Sequence, residues 1–378
     1  VAEKDYKYEI EIIKLEKPLK IDAKLLEDLK QAKLSRKMIA EMKKEAVNCP
    51  VLGTQVPFLQ CYNCKNFVRR VKGKVYCRGN PLLDKAMENL SRIEQIEETA
   101  KKYYFPDKDF SIEKRQVEEL LEESKKTLSR ETIVIDADTG KVLFVGDTHG
   151  DIESTKNALL KAVELSVDKV VFLGDYVDRG PYQLGNILFL LEVKNMYPGW
   201  VYLLRGNHET RVMNETYGFL RAVTRAYGPG LYDVFEELFS NLSLAFLLNK
   251  RILAVHGGIP IRPISIEEIR RIPKGLRDNE IEGNDIVLQM LWNDPDEYIE
   301  DYADSPRGPG IYLFGKRIFE EFMSRNSLDL LIRAHEPVEN GVKYLFDGRL
   351  ASVFSCRFYG ISPAALLLDG NKREIVTL

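Results

Sequence analysis

Asp147 and His149 stand two positions apart between glycines in "FVGDTHGD", residues 144–151, where an apolar run stops abruptly. A carboxylate and an imidazole with so little side chain around them suit a metal ion that main chain must approach closely. The chain has only four histidines, and each follows an apolar, strand-like run. His149 follows "KVLFV", His208 follows "WVYLLRG", His256 ends "RILAVH" and His335 ends "LDLLIRAH". Asp175 follows "KVVFLG" in the same manner, with Asp178 and Arg179 one turn later. Loops at strand ends gather at one edge of an α/β sheet, and sites are built there.

The collected donors are Asp147, His149, Asp175, Asn207, His256 and His335. Nitrogen and oxygen ligands in that mixture suit Mn, Fe or Zn. They are too many for one tetrahedral ion and about right for two. Two dications held by two aspartates and neutral groups keep a charge of about +2, which suits a phosphate ester dianion. A calcium cage would cancel that charge with more carboxylates.

The elements that must carry these groups change character near residue 130. Before it, helical spacing predominates over 21–46, 82–103 and 110–129, with a short alternating strand at 7–13. After it, short strands alternate with helices, and the end from Leu328 is strand-rich. "TIVIDADTGKVLFVG" reads as a hairpin turning at Asp138-Thr139-Gly140. The expectation is a mainly helical accessory region, 1–130, and a catalytic domain, 131–378. The latter is a layered α/β sandwich with mixed sheets.

Bulk properties bound the function. The 378 residues carry a net charge of −3, so no polyanion-wrapping surface is expected and a nucleic-acid partner is not favoured. The longest apolar stretch, 184–193, is too short to span a bilayer. The N-terminal residues lack the apolar core of a signal peptide, and a cytoplasmic protein is expected. Heavy Lys and Glu use hints at a thermophile.

"GDTHG", "GDYVDRG", "RGNHE", "HGG" and "RAHE" resemble, in order, the signature of metal-dependent serine/threonine protein phosphatases within the calcineurin-like metallophosphoesterases. Similarity continues through "NETYGF", "LWNDPDE" and "PRGPG", and the match covers about 130–378. The resemblance implies an α-β-β-α sandwich in an archaeal or thermophile-like member with an N-terminal extension. It implies two divalent ions, Mn2+ first with Fe or Zn as alternatives. One would be held by Asp147, His149 and Asp175, and the other by Asp175, Asn207, His256 and His335. His208 would be the general acid oriented by Asp178, and Arg179 would clamp the phosphate beside Asn207. The ions would generate hydroxide for in-line attack on phosphoserine or phosphothreonine. The substrates would be phosphorylated proteins, with a regulatory protein reached through residues 1–130.

Two departures from the family pattern stand out. The arginine expected after "IRRI" is missing, and Lys274 or Arg277 is the candidate phosphate contact. The usual tyrosine is absent from "SVFSCRFYG", 352–360. Relatives sharing the first motifs include dinucleoside polyphosphate hydrolases, which gives one alternative. A non-catalytic phosphoprotein-binding scaffold is the other.

Four of the five cysteines, Cys49, Cys61, Cys64 and Cys77, cluster in the N-terminal region. Their Cys-x-x-Cys suits a structural Zn2+. The alternatives are an iron–sulfur cluster, or plain thiols and disulfides. Cys64 and Arg70 also match C-x₅-R, but the intervening residues contain no glycine to let main chain cradle a phosphate.

Overall fold

A computed structural model describes residues 6–19, 21, 36–51, 53–79 and 85–378. The chain divides into two compact units, 1–88 and 89–378.

In the first unit, strands β1 (Tyr8–Lys14), β2 (Glu45–Cys49), β3 (Thr54–Pro57), β4 (Phe67–Val71) and β5 (Lys74–Cys77) form one antiparallel sheet, order β3-β2-β1-β5-β4. Short helices α1 (Arg36–Met42) and α2 (Phe58–Tyr62) accompany it. Of the region 1–130 expected to be mainly helical, the described residues before Lys85 are therefore built on a sheet, and the long helices lie from Lys85 on. Helical spacing ends with Met42, and the apolar-rich "EAVNC" and "KVYC" runs pair as strands instead. Most of the helix expected over 21–46 lies outside the described residues.

The boundary also falls earlier than residue 130. Helices α3 (Lys85–Tyr103) and α4 (Lys114–Ser129) carry charged outer faces. Their apolar stripes, including Ile96, Ala100, Tyr103, Val117, Leu121 and Leu128, are buried in the helical layer of the second unit. An amphipathic helix belongs where its apolar face is covered.

The second unit has two main sheets, numbered on in chain order from β6 (Val134–Ala137), β7 (Lys141–Val145), β8 (Lys169–Phe172) and β9 (Val201–Leu203). Next come β10 (Ala245–Leu248), β11 (Ile252–Val255), β12 (Asp294–Pro295), β13 (Tyr302–Asp304) and β14 (Tyr312–Phe314). The last are β15 (Leu330–Arg333), β16 (Val342–Leu345), β17 (Leu350–Val353), β18 (Ala364–Asp369) and β19 (Lys372–Thr377). One sheet has order β19-β18-β7-β8-β9 and the other β16-β17-β15-β11-β10-β6. β12 to β14 form a small third sheet.

Strand alternation builds the layers. Val142 and Phe144 of β7 meet Phe246, Ala254 and Ile332 between the two sheets. Leu143 and Val145 face the helices, among them the nearly all-buried Gln183–Met196. The second sheet is covered by helices Asp285–Trp292 and Lys316–Arg325. The α-β-β-α sandwich with mixed sheets is thus observed. The expected hairpin at 138–140 is not. β6 pairs with β10 in one sheet and β7 with β8 and β18 in the other, so the turn crosses between layers. β7 is central in its sheet and β6 is the edge of the other, and a turn signal does not say which partner each takes.

Candidate active site

The catalytic loops follow the carboxyl ends of β7, β8 and β9 in one sheet and of β11 and β15 in the other. Within each sheet these strands run parallel to their neighbours in the set, so the loops emerge on one side. Reaching the centre strains the backbone. His149, Asp175, Asp178, Arg179 and His335 all have positive φ, between 42° and 69°. Such conformations cost about 1–3 kcal/mol each and persist only where the surroundings enforce them.

All six donors expected from the sequence meet here, each almost fully buried. His149 Nδ1 donates to the Val177 carbonyl at 2.9 Å, and His256 Nδ1 to the Leu173 carbonyl at 2.9 Å. Each bond leaves Nε2 as a lone pair facing inward. His149 Nε2 lies 3.6 Å from Asp175 Oδ2 and 3.8 Å from Asp147 Oδ2. His256 Nε2 lies 2.9 Å from Asn207 Oδ1, 3.2 Å from His335 Nδ1 and 3.3 Å from Asp175 Oδ1. Asp175 belongs to both clusters whose donor atoms lie within 4.8 Å of one another, one with His149 and His208, the other with His256 and His335.

Lone pairs this close repel unless a positive charge sits between them. Asp147 Oδ2 is buried with no hydrogen-bond partner. Burial pushes the Asp147 carboxyl up to about 7 and raises Asp175 well above the usual range, Asp147 adding to the latter. Burial also holds His149, His256 and His335 in the neutral form that ligates metal. The donor set fits two divalent cations sharing Asp175.

Glu209 is a functional residue that sequence reasoning missed. Its buried carboxylate accepts the N–H groups of Asp175 and Tyr176 at 2.9 Å and of Gly206 at 2.8 Å, joining the β8 and β9 loops. An acidic residue directly after His208 in a strand-end loop was the available signal. Glycines complete the crossing. A Cβ on Gly206 would lie 2.2 Å from Asp175 Oδ1, and one on Gly180 2.0 Å from the His149 carbonyl.

His208 Nδ1 donates to Asp178 Oδ2 at 2.7 Å. Asp178 is fixed by Asn214 Nδ2 at 2.8 Å and by the Phe219 N–H at 2.9 Å. His208 and Arg179 border a cavity of about 930 Å³, and Asp178 is buried behind the ring. The Arg179 guanidinium lies over the Tyr217 ring, 4.1 Å from its centroid.

Neither candidate for the second phosphate contact reaches this cavity. Lys274 donates to the Leu128 carbonyl at 2.9 Å, and burial pushes it down to about 8. Arg277 is exposed and its N–H caps the next helix through Glu280. The neighbours Asp278, Ile281 and Glu282 line the wall instead. A second arginine that does line the cavity is Arg307, in "PRGPG", held by Asp294 at 2.5 Å. Asp294 is held in turn by buried Arg333 at 2.7 Å. Arg307 is distant in sequence from "IRRI", and the β13–β14 loop brings its charge to the cavity. Likewise "SVFSCRFYG" does place a tyrosine at the site. Tyr359 stacks on His149, centroids 5.7 Å apart, from a loop tethered by Arg357 to Asp151 at 3.0 Å.

Residues 140–339 match the family model for the calcineurin-like phosphoesterase. The serine/threonine-protein phosphatase 4 catalytic subunit of Eremothecium gossypii is 38% identical over 71% of this chain and 86% of its own length. The phosphatase 6 catalytic subunit of Drosophila melanogaster is 34% identical over 70% of this chain and 83% of its own. Among solved structures, a protein serine/threonine phosphatase from Saccharomyces cerevisiae with similarity to human phosphatase PP5 superposes with a TM-score of 0.64. It is 25% identical and covers 71% of this chain and 90% of its own. With the donors converged, a carboxylate-paired histidine beside them and two arginines on one cavity, the chain belongs to the calcineurin-like phosphoesterase family, among its serine/threonine protein phosphatases.

Proposed function

We propose that this site hydrolyses phosphoserine and phosphothreonine monoesters with the residues in the following roles. Asp147, His149 and Asp175 would hold one divalent ion, and Asp175, Asn207, His256 and His335 the other. Mn2+ is the first candidate pair, with Fe or Zn as alternatives. When bound, such ions lower the pKa of water and neutralise phosphoryl oxygens. Arg179 and Arg307 clamp the phosphate through charge-assisted hydrogen bonds. His208 protonates the leaving alkoxide, and Asp178 orients the ring and favours its imidazolium.

One observation bears directly on the acid. Burial and the charges of Arg179 and Arg307 push His208 toward the neutral form, against the pull of Asp178. A phosphate dianion between the arginines cancels that repulsion. Substrate binding therefore supports the protonated state that the reaction needs.

The observation that carries the reading is His208, backed by buried Asp178, lining the same cavity as Asp147, His149, Asp175, Asn207, His335 and both arginines. The substrates are assigned as phosphoproteins of the cytoplasm. The phosphatase 4 and phosphatase 6 relatives are named catalytic subunits, which supports a regulatory partner reached through residues 1–130, of which 1–88 form a compact unit. The cysteine set at 49–77 is read as a separate structural zinc site. The test compares turnover of a phosphothreonine peptide and of diadenosine tetraphosphate by the full chain with Mn2+. Preferential cleavage of the peptide is expected. Preference for the dinucleotide would overturn the substrate assignment.

A further inference from the structure

The fold of the N-terminal unit gathers four cysteines that the phosphatase site does not use. Cys49 ends β2, Cys61 lies in α2, Cys64 sits in the turn after it, and Cys77 ends β5. All four thiols are free, and all four line one cavity of about 290 Å³. They come from separate elements, so the convergence is tertiary.

Two of the sulfurs accept main-chain hydrogen bonds in the same pattern. The Asn66 N–H donates to Cys64 Sγ at 3.4 Å. The Gly79 N–H donates to the Cys77 sulfur. Each donor is two residues beyond its cysteine. Main-chain N–H groups aimed at sulfur stabilise a thiolate and orient it as a ligand. The second turn needs a glycine, because Gly79 has φ +73° and a Cβ there would lie 2.3 Å from the Tyr8 ring. The unit also has reason to need a tether. Among the described residues, its core cluster holds only seven buried apolar side chains. Small units with so little core commonly rely on a metal or disulfides.

We propose that Cys49, Cys61, Cys64 and Cys77 together hold one Zn2+ in a closed, structural thiolate site that ties β2, α2 and β5 into one body. Four thiolates satisfy a tetrahedral Zn2+ completely and leave no position for a substrate. Binding releases the four thiol protons to solvent and forms four Zn–S bonds of about 2.3 Å. Among the described residues, only the active-site donors stand three together within 4.8 Å, and holding the ion requires the four sulfurs to stand closer together than that. Zinc needs nothing but these side chains, whereas an iron–sulfur cluster also needs inorganic sulfide. This site goes beyond the phosphatase reading and does not rest on it.

Elemental analysis of the purified full chain, beside the Cys61→Ser/Cys64→Ser variant, tests it. The unsubstituted chain is expected to hold one more equivalent of zinc than the variant. The variant should keep Mn2+-dependent phosphatase turnover while its residues 1–88 become more sensitive to limited proteolysis. Equal zinc content, or iron accompanied by sulfide, would overturn the assignment. Should the variant not fold, Co2+ loading of the unsubstituted chain decides. Intense thiolate-to-cobalt absorption supports the site, and its absence overturns it. A chain with the extra zinc but no phosphatase activity would sink only the catalytic reading.

Discussion

His208 and Asp178 are joined by a 2.7 Å hydrogen bond between Nδ1 and Oδ2, with both side chains almost fully buried. The carboxylate fixes the ring so that Nε2 faces the cavity. This geometry makes the first prediction. His208→Ala should lower kcat on a phosphothreonine peptide by about 10²–10⁴-fold, the usual worth of a positioned acid, with little change in KM. Asp178→Asn should act in the same direction and less strongly. Steady-state kinetics checks both, and undiminished turnover by His208→Ala would remove the acid from the mechanism.

The two arginines on the cavity should share the phosphate. Arg307→Ala is expected to lower kcat/KM by roughly 10–100-fold, the scale of a charged hydrogen bond worth about 1.5–3 kcal/mol. Lys274→Met and Arg277→Ala should leave KM unchanged, since Lys274 bonds Leu128 and Arg277 lies outside the cavity wall. Measuring KM for the three variants separates the assignments. An effect confined to Lys274→Met would reverse them.

Metal removal should abolish activity and be reversible. Dialysis against a chelator is expected to eliminate phosphate release, and added Mn2+ to restore it. Asp175→Asn should lose metal from both positions, because Asp175 belongs to both donor clusters. Full activity in the stripped protein would contradict the proposed chemistry.

Gly206→Ala tests the crowding around that carboxylate. The added Cβ would stand 2.2 Å from Asp175 Oδ1 and 2.5 Å from its main-chain nitrogen. Neither neighbour yields easily, so a loss of about 1–3 kcal/mol of stability is expected, together with weaker metal retention. Thermal unfolding and metal content give the two readouts, and unchanged values would mean that the loop is looser than its packing implies.

Asp107 provides a pH prediction away from the metals. It accepts hydrogen bonds from the Leu184 N–H at 3.0 Å and from Gln183 Nε2 at 2.9 Å, yet burial pushes its carboxyl up from 3.8 to about 6. A raised acid pKa means that the folded protein holds its proton longer than the unfolded chain does. The contribution is therefore fully present below about 4 and is lost as pH rises through 6, by about 3 kcal/mol at most. Asp107→Asn should gain stability relative to the parent between pH 4 and pH 7.5, read as the difference in Tm. A flat difference across that window would remove the burial argument.

The sequence by itself determined the chemistry of the centre. Strand-end placement of His149, Asp175, His208, His256 and His335 follows from apolar runs that stop at glycine-rich loops, and residue type decides which ions such donors hold. The sandwich was legible for the same reason, because alternation and turn signals are local. Other features were set by pairing over long distances. β6 and β7 part into different sheets, Arg307 arrives from the β13–β14 loop, and Glu209 joins the β8 and β9 loops. α3 and α4 join the second unit because their apolar stripes find cover there. Even the strained φ values of His149, Asp178 and His335 depend on surroundings that no local pattern encodes.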